Sequence, residues 1–463
     1  MGAQKRGGER VARENDLGRD PVGPLVRRIA LPSMLAQCVS VLYNLVDRMY
    51  IGHIEGVGDL ALAGAGVCGP VVTLLAAFAM MIGIGGAPLM GIRMGEGDHS
   101  AAERILSTCF HALWGMSLIL MIVLYPLRRP MLLLFGDSDA TLHYAEAYFS
   151  VYLKGTAFAL LSTGLSQFII SQGFAKQAMA AVMLGAVANI ILDPVFIFAL
   201  DMGVQGAALA TVISQLLSCA YVVRFLTGRR PKVRIRLRAF HLPSLGSVVK
   251  LGLTPFIIYA LDNVMIIAMN AVLQRYGGAE RGDLLITCAT IAQSFMLIVT
   301  MPLGGITGGT ECILSFNYGA RQTGRIRQAQ KHIVLLGVTF TALMTLASWV
   351  LGDAFAGLFT QDAAIRAQAA WAIRVCAAAV VPLAVQYTIV DGFTGMAQVK
   401  FAMFLSSFRK AVYFVALFAL PALFGAEATF FAETISDIFP PLVSMAVYAW
   451  GMPQLLRERE MGM

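Results

Sequence analysis

Long apolar stretches alternate with short polar connectors along almost the whole chain. The apolar runs fall at about 29–50, 60–92, 102–126, 144–171, 177–200 and 203–226, and again at about 245–272, 284–316, 331–352, 364–390, 399–423 and 428–452. A helix needs ~20 apolar residues to cross the hydrocarbon core of a bilayer, and each run is long enough. Glycine and proline interrupt several runs, which lipid-embedded helices tolerate when neighbours satisfy the freed backbone groups. The pattern predicts an all-α integral membrane protein with twelve transmembrane helices.

Composition agrees. The chain has 463 residues, of which 58% are hydrophobic and only 13% charged, and its mean hydropathy is +0.72. Soluble domains carry about 25% charged residues; a lipid-facing surface explains the deficit. The formal net charge of +8 raises nucleic-acid binding as a reading, but the positive residues sit in connectors between apolar runs, where they orient a membrane protein. No nucleic-acid partner is expected. The seven cysteines all lie in apolar runs, and none forms a CxxC pair; they read as small buried hydrophobes. The six histidines show no metal-ligand spacing, so no structural metal is expected.

The connectors alternate in charge. Residues before the first run carry Lys5, Arg6, Arg10, Arg13, Arg19, Arg27 and Arg28. Segment 227–244 carries Arg229, Arg230, Lys232, Arg234, Arg236 and Arg238 without an acid, and segment 317–331 carries Arg321, Arg325, Arg327 and Lys331. With twelve spans these all fall on one side, and positive charge marks that side as cytoplasmic. A multi-pass protein of the cell (inner or plasma) membrane with both termini in the cytoplasm is expected.

The halves resemble each other. Pro32 recurs as Pro255, 223 residues on, and Gly91–Gly95 (GIRMG) recurs as Ser315–Gly319 (SFNYG), 224 on. Lys154 is matched to Arg374 and Gly173 to Gly395. Six spans separate the copies, so both insert the same way round, as a parallel repeat about an axis along the membrane normal. The expected plan is a cytoplasmic tail (1–24), an N-terminal lobe of spans 1–6 (25–226), a basic cytoplasmic linker (227–244), a C-terminal lobe of spans 7–12 (245–455) and a cytoplasmic tail (456–463). Two facing lobes leave a central cleft of the kind alternating access requires.

Charged residues deep in a span are costly and mark functional candidates. Asp47 lies one helical turn after Tyr43, and Asp193 one turn after Asn189, so each pair shares a helix face. Pro194 lacks an N–H, which frees the carbonyl of Ile190. Carboxylates held out of water near one another are able to take up a proton near neutral pH. The same oxygens, with Asn189 and Thr211, could instead hold Na⁺. In the second half Asp262, Glu311 and Asp391 are in-span acids, candidates for a substrate site or a second cation site; Lys154 and Arg374 are candidate partners for them. Glu433 and Asp437 share a face of the last span.

The chain resembles the multidrug and toxic compound extrusion (MATE) family, nearest its bacterial DinF-like branch. The likeness rests on YNLVDRMYIG at 43–52, NIILDPVFIF at 189–198 followed by GVQGAALAT at 203–211, and SFNYGA at 315–320. It implies cation-coupled export through two six-helix lobes. It also implies an H⁺ or Na⁺ coupling site made by Asp47, Tyr43, Asn189, Asp193 and Thr211, and a conformational role for Pro32. Glu311 and Cys312 depart from the Gln and Pro usual before the last motif, and Asp391 stands where relatives more often have a neutral residue.

The function expected is a secondary antiporter that exports amphipathic organic cations, works as a monomer among membrane lipids and uses no cofactor beyond the coupling ion. No Walker A motif is present, so ATP coupling within the chain is not expected. A flippase for a lipid or lipid-linked saccharide is the alternative on the same fold. An intramembrane enzyme would need a nucleophile–base or metal constellation, and the sequence offers none.

Overall fold

The computed structural model describes residues 15–54, 56–134 and 141–461, and every regular element among them is helical. Ten helices are each long and apolar enough to cross a bilayer, and two bent pairs bring the number among the described residues to twelve. The first six spans are span 1 (Val22–Gly52), span 2 (Leu60–Gly95), span 3 (His99–Leu133), span 4 (Leu142–Lys154 with Thr156–Ser171), span 5 (Ala175–Ala199) and span 6 (Gly203–Thr227). The other six are span 7 (Leu242–Gly278), span 8 (Arg281–Gly319), span 9 (Thr323–Ala356), span 10 (Ala363–Ala377 with Val380–Gly395), span 11 (Val399–Phe424) and span 12 (Ala426–Met461). The protein is an all-α, multi-pass membrane protein, as the apolar pattern requires.

Backbone geometry repeats between the halves. Span 4 bends by 59° at Gly155 and span 10 by 45° at the matching place. The left-handed turn residues Gly97 and Gly173 recur as Arg321 and Ala397, in each case 224 residues later. This offset corrects two sequence pairings. Gly173 corresponds to Ala397 rather than Gly395, and the counterpart of Lys154 is Ala378, so Arg374 lies a turn too early to be its equivalent.

Packing divides the helices into two bundles, with an exchange at spans 1 and 7. One core joins spans 2–6 and takes in Val248 from the start of span 7. The first half of span 1 goes the other way: Leu25, Val26, Ile29 and Ala30 pack against Ile306, Ile313, Ile326 and Ile333 of spans 8 and 9. Span 1 thus begins against the second lobe and ends against the first at Ile51, whereas span 7 begins against the first and ends in the second at Met269, Val272 and Leu273.

The lobes meet closely at the end that carries the described terminal residues. A β-carbon on Gly252 would lie 1.8 Å from the Met81 carbonyl oxygen, and one on Gly319 would lie 2.0 Å from that of Ile92. Only glycine permits such backbone approach. Arg459 of span 12 reaches Glu96 after span 2 and donates to the Tyr318 carbonyl. Glu96 and Arg459 are part-exposed, and exposed pairs contribute about 0–1 kcal/mol. Arg459→Ala is therefore expected to leave thermal stability in detergent almost unchanged; a large fall would contradict this weighting of backbone contact over surface charge.

Two segments expected as connectors are packed. Residues 15–21 belonged to the expected tail, but they run between the lobes. Asn15 donates to the Gly173 carbonyl at 2.8 Å, and Asn317 and Arg325 each donate to the Leu17 carbonyl at 3.0 Å. Span 1 consequently begins at Val22, earlier than its apolar run. Residues 1–14 of that tail lie outside the described residues. The basic segment 227–244 folds onto the first lobe. Gln172 and the Val233 backbone exchange two hydrogen bonds, and Arg236 pairs with Glu103 at 2.6 Å.

Candidate functional site

Spans 1, 5 and 6 bring together the residues marked in the first half. Asp193 and Asn189 are one turn apart on span 5 and fully buried. Asn189 Nδ2 donates to Asp193 Oδ1 at 3.1 Å and lies 3.5 Å from Thr211 Oγ1 on span 6. Asp47 of span 1 lies close enough to Asp193 for the two carboxyls to interact. Three oxygens at this point have no partner among the described residues: Asp47 Oδ1, Asp193 Oδ2 and Asn189 Oδ1. Two ionised carboxyls are both acceptors, so neither can satisfy the other. Buried acceptors left bare are costly, so these oxygens could be satisfied by a small positive species. The donor set is all oxygen and fits H⁺ or a hard monovalent cation.

Local structure explains the placement. Span 5 is α-helical to Pro194 and then widens into a π-helical turn over Val195–Ala199. Proline removes one backbone donor, and such wide turns often sit at functional sites. Gly206 of span 6 packs on that turn, since a β-carbon there would lie 2.7 Å from the Phe196 carbonyl oxygen. Pro32 is buried in span 1, beside Ser33. A β-carbon on Gly309 of span 8 would come within 2.4 Å of Ser33 Oγ. Span 1 thus carries Asp47 in one lobe while its other half is seated on the second.

The first lobe adds residues not marked from the sequence. Tyr148 of span 4 reaches Thr211 and lies close to Asp47. It stacks with Tyr152 at 6.2 Å, and Tyr152 Oη receives a long 3.4 Å contact from Gln215. Tyr43 also lies near Asp47 and Tyr152. The signal was present as Tyr144, Tyr148 and Tyr152, spaced one turn apart, but tyrosine in a span is more often an interfacial anchor.

The acids of the second half do not form one cluster. Asp262 pairs with Lys410 of span 11. Glu311 and Asp391 lie close together across spans 8 and 10, with Thr307 near Asp391. Neither sequence-suggested base serves them: Lys154 is exposed, and Arg374 lies over the Trp349 ring at 5.7 Å. The bases that do the pairing, Arg409 and Lys410, were missed because they fall inside the apolar run 399–423. Arg409 holds Asp437 at 2.8 Å, with the acid fully buried and Arg409 nearly so. Removing one member of such a pair leaves a bare charge and costs about 3–5 kcal/mol. Arg409→Ala is expected to lower the melting temperature of the purified protein sharply, and Arg409→Met combined with Asp437→Leu to recover part of the loss. Equal melting of wild type and Arg409→Ala would contradict the assignment.

A two-lobed bundle of twelve spans with buried carboxyls in each lobe has the architecture of a membrane transporter. The chain belongs to the MatE family, whose model matches residues 32–195 and again 256–439, one match in each half. It is 25% identical over 450 residues to the multidrug export protein MepA of Staphylococcus aureus, covering 95% of both chains. A MepA from Staphylococcus haemolyticus is 23% identical, covering 90% of this chain and 91% of that one. Among solved structures, the outward-facing conformation of a multidrug resistance MATE family transporter superimposes with a TM-score of 0.88 at 22% identity, over 97% of this chain and 100% of that one.

Proposed function

We propose that the protein is a secondary antiporter that exports amphipathic organic cations from the cell, driven by inward flow of H⁺ or Na⁺. The observation that carries this reading is the closeness of Asp47 and Asp193, with three buried oxygens that lack partners among the described residues. Occupied by a small cation the pair is satisfied. Emptied, it leaves two negative charges that repel across spans 1 and 5. Span 1 continues into the second lobe, so a shift at Asp47 is carried to the packing between the lobes. Tyr43, Asn189 and Thr211 position the carboxyls, and Pro32 and Pro194 supply the points where spans 1 and 5 yield.

The family membership and the MepA likeness support drug export as the coarse function. Positive charge on one set of connectors supports cytoplasmic termini, and with that orientation the contacts at Gly252 and Gly319 make this the state closed to the cytoplasm. Alternating access follows if those contacts part when the coupling site changes occupancy. The lobes are residues 25–226 and 245–455, joined by the 227–244 linker, and the chain works as a monomer. Glu311 and Asp391 are available to meet the positive charge of cargo or a second ion, whereas Asp262 is already engaged by Lys410.

Everted membrane vesicles test the reading. With a proton or a sodium gradient imposed separately, adding a fluorescent organic cation should dissipate one of them only when the protein is present. Gradients that persist, together with movement of a labelled lipid between leaflets, would favour a flippase instead.

A further inference from the structure

Spans 9, 10 and 12 enclose a groove of about 310 Å³ on the second lobe, away from the coupling site. Arg327 and Lys331 line one side, and Val385, Ile389 and Met445 form its apolar wall. Gln330 and Tyr448 are joined by a hydrogen bond in which the hydroxyl donates to Gln330 Oε1, and both line the groove. Gln330 is buried, and its Nε2 has no partner among the described residues. None of the lining residues is acidic, and neither Arg327 nor Lys331 takes part in an ion pair among the described residues. Leu335, one turn beyond Lys331, is largely exposed on the same helix, which continues the groove into an apolar surface.

The repeat indicates what kind of occupant the groove takes. By the 224-residue offset, Arg327 and Lys331 correspond to Glu103 and Ser107 of span 3. In the first lobe those two positions are covered: Arg236 of the linker pairs with Glu103 and donates its backbone N–H to Ser107 Oγ at 2.9 Å. In the second lobe no described segment lies there, and the charge is reversed. The first lobe's site takes a cationic strand of its own chain; the second lobe's site is suited to an anion with an apolar body.

We propose that this groove binds one anionic phospholipid, with its phosphate between Arg327 and Lys331 and an acyl chain along Val385, Ile389 and Met445. A soluble acidic peptide would not use the apolar wall, and a free anion would leave it bare. Basic pockets between spans on the positively charged side suit anionic headgroups in this way. The lipid is a resident of the lobe, not cargo, so the site stands independently of the transport reading.

Native mass spectrometry of the purified full chain tests it, with phosphatidylglycerol and phosphatidylcholine titrated separately. Wild type should hold phosphatidylglycerol about tenfold or more tightly than phosphatidylcholine. Arg327→Gln with Lys331→Gln should reduce that preference to near unity. Both side chains are exposed, so the fold should persist, checked by the melting temperature without added lipid. Lys176→Gln with Lys400→Gln removes the same charge from exposed positions near the same end and should keep the preference. Equal lipid retention by wild type and the Arg327/Lys331 variant, loss of preference in both variants, or no headgroup preference in wild type would overturn the proposal.

Discussion

Asp193→Asn is expected to abolish export while leaving the protein folded in the membrane. Asparagine keeps the shape of the side chain and can still bond Asn189, yet it carries no exchangeable charge. The closeness to Asp47 then no longer calls for a proton or cation, and the site cannot cycle between filled and empty states. Cells expressing the variant should accumulate an organic cation dye as fast as cells without the protein. Asp47→Asn should do the same, because either substitution removes one of the two negative charges whose repulsion marks the empty state. Normal resistance in both variants, at normal expression, would move the coupling site to the second lobe.

Gly252→Ala is expected to have an effect of similar size by a different route. The new methyl group would fall 1.8 Å from the Met81 carbonyl oxygen, and backbone on both sides leaves nothing flexible to yield. Overpacking of this kind costs about 1–3 kcal/mol, and each 1.4 kcal/mol is a factor of about ten in population. The penalty applies where spans 2 and 7 touch, so it disfavours the arrangement in which those two backbones are in contact. Spin labels at positions 176 and 400, exposed sites 224 residues apart, in a background without the seven native cysteines, would report it. The variant should populate longer distances than the parent. An unchanged distance distribution would show that this glycine contact does not set the closure.

Much of this was legible in the sequence because lipid imposes a simple code. Twelve apolar runs became twelve spans since each must satisfy its own backbone. Asp47, Asn189, Asp193 and Thr211 were visible as polar residues in apolar surroundings, and they meet. What stayed hidden depends on partners distant in sequence. Lys410 and Arg409 were passed over inside a hydrophobic run, so the pairing of Asp262 and Asp437 was not foreseen. Periodicity marks a face of a helix but not its neighbour. For that reason the crossing of span 1 into the second lobe, and the seating of Leu17 between Gly173 and Asn317, emerge only from packing. The repeat was detected with some pairings off by two to four residues, because matching Lys154 to Arg374 used chemical likeness where the duplicated feature is the bend at Gly155.

On the proposed function, cargo and a small cation exchange at the first lobe's carboxyl pair. Titration calorimetry of the purified protein with an organic cation, repeated in buffers of different ionisation enthalpy and at several sodium concentrations, counts what leaves as cargo binds. Wild type should release protons or show affinity that falls with sodium, and Asp47→Asn with Asp193→Asn should show neither. Identical proton counts and identical sodium dependence in the two proteins would contradict the account.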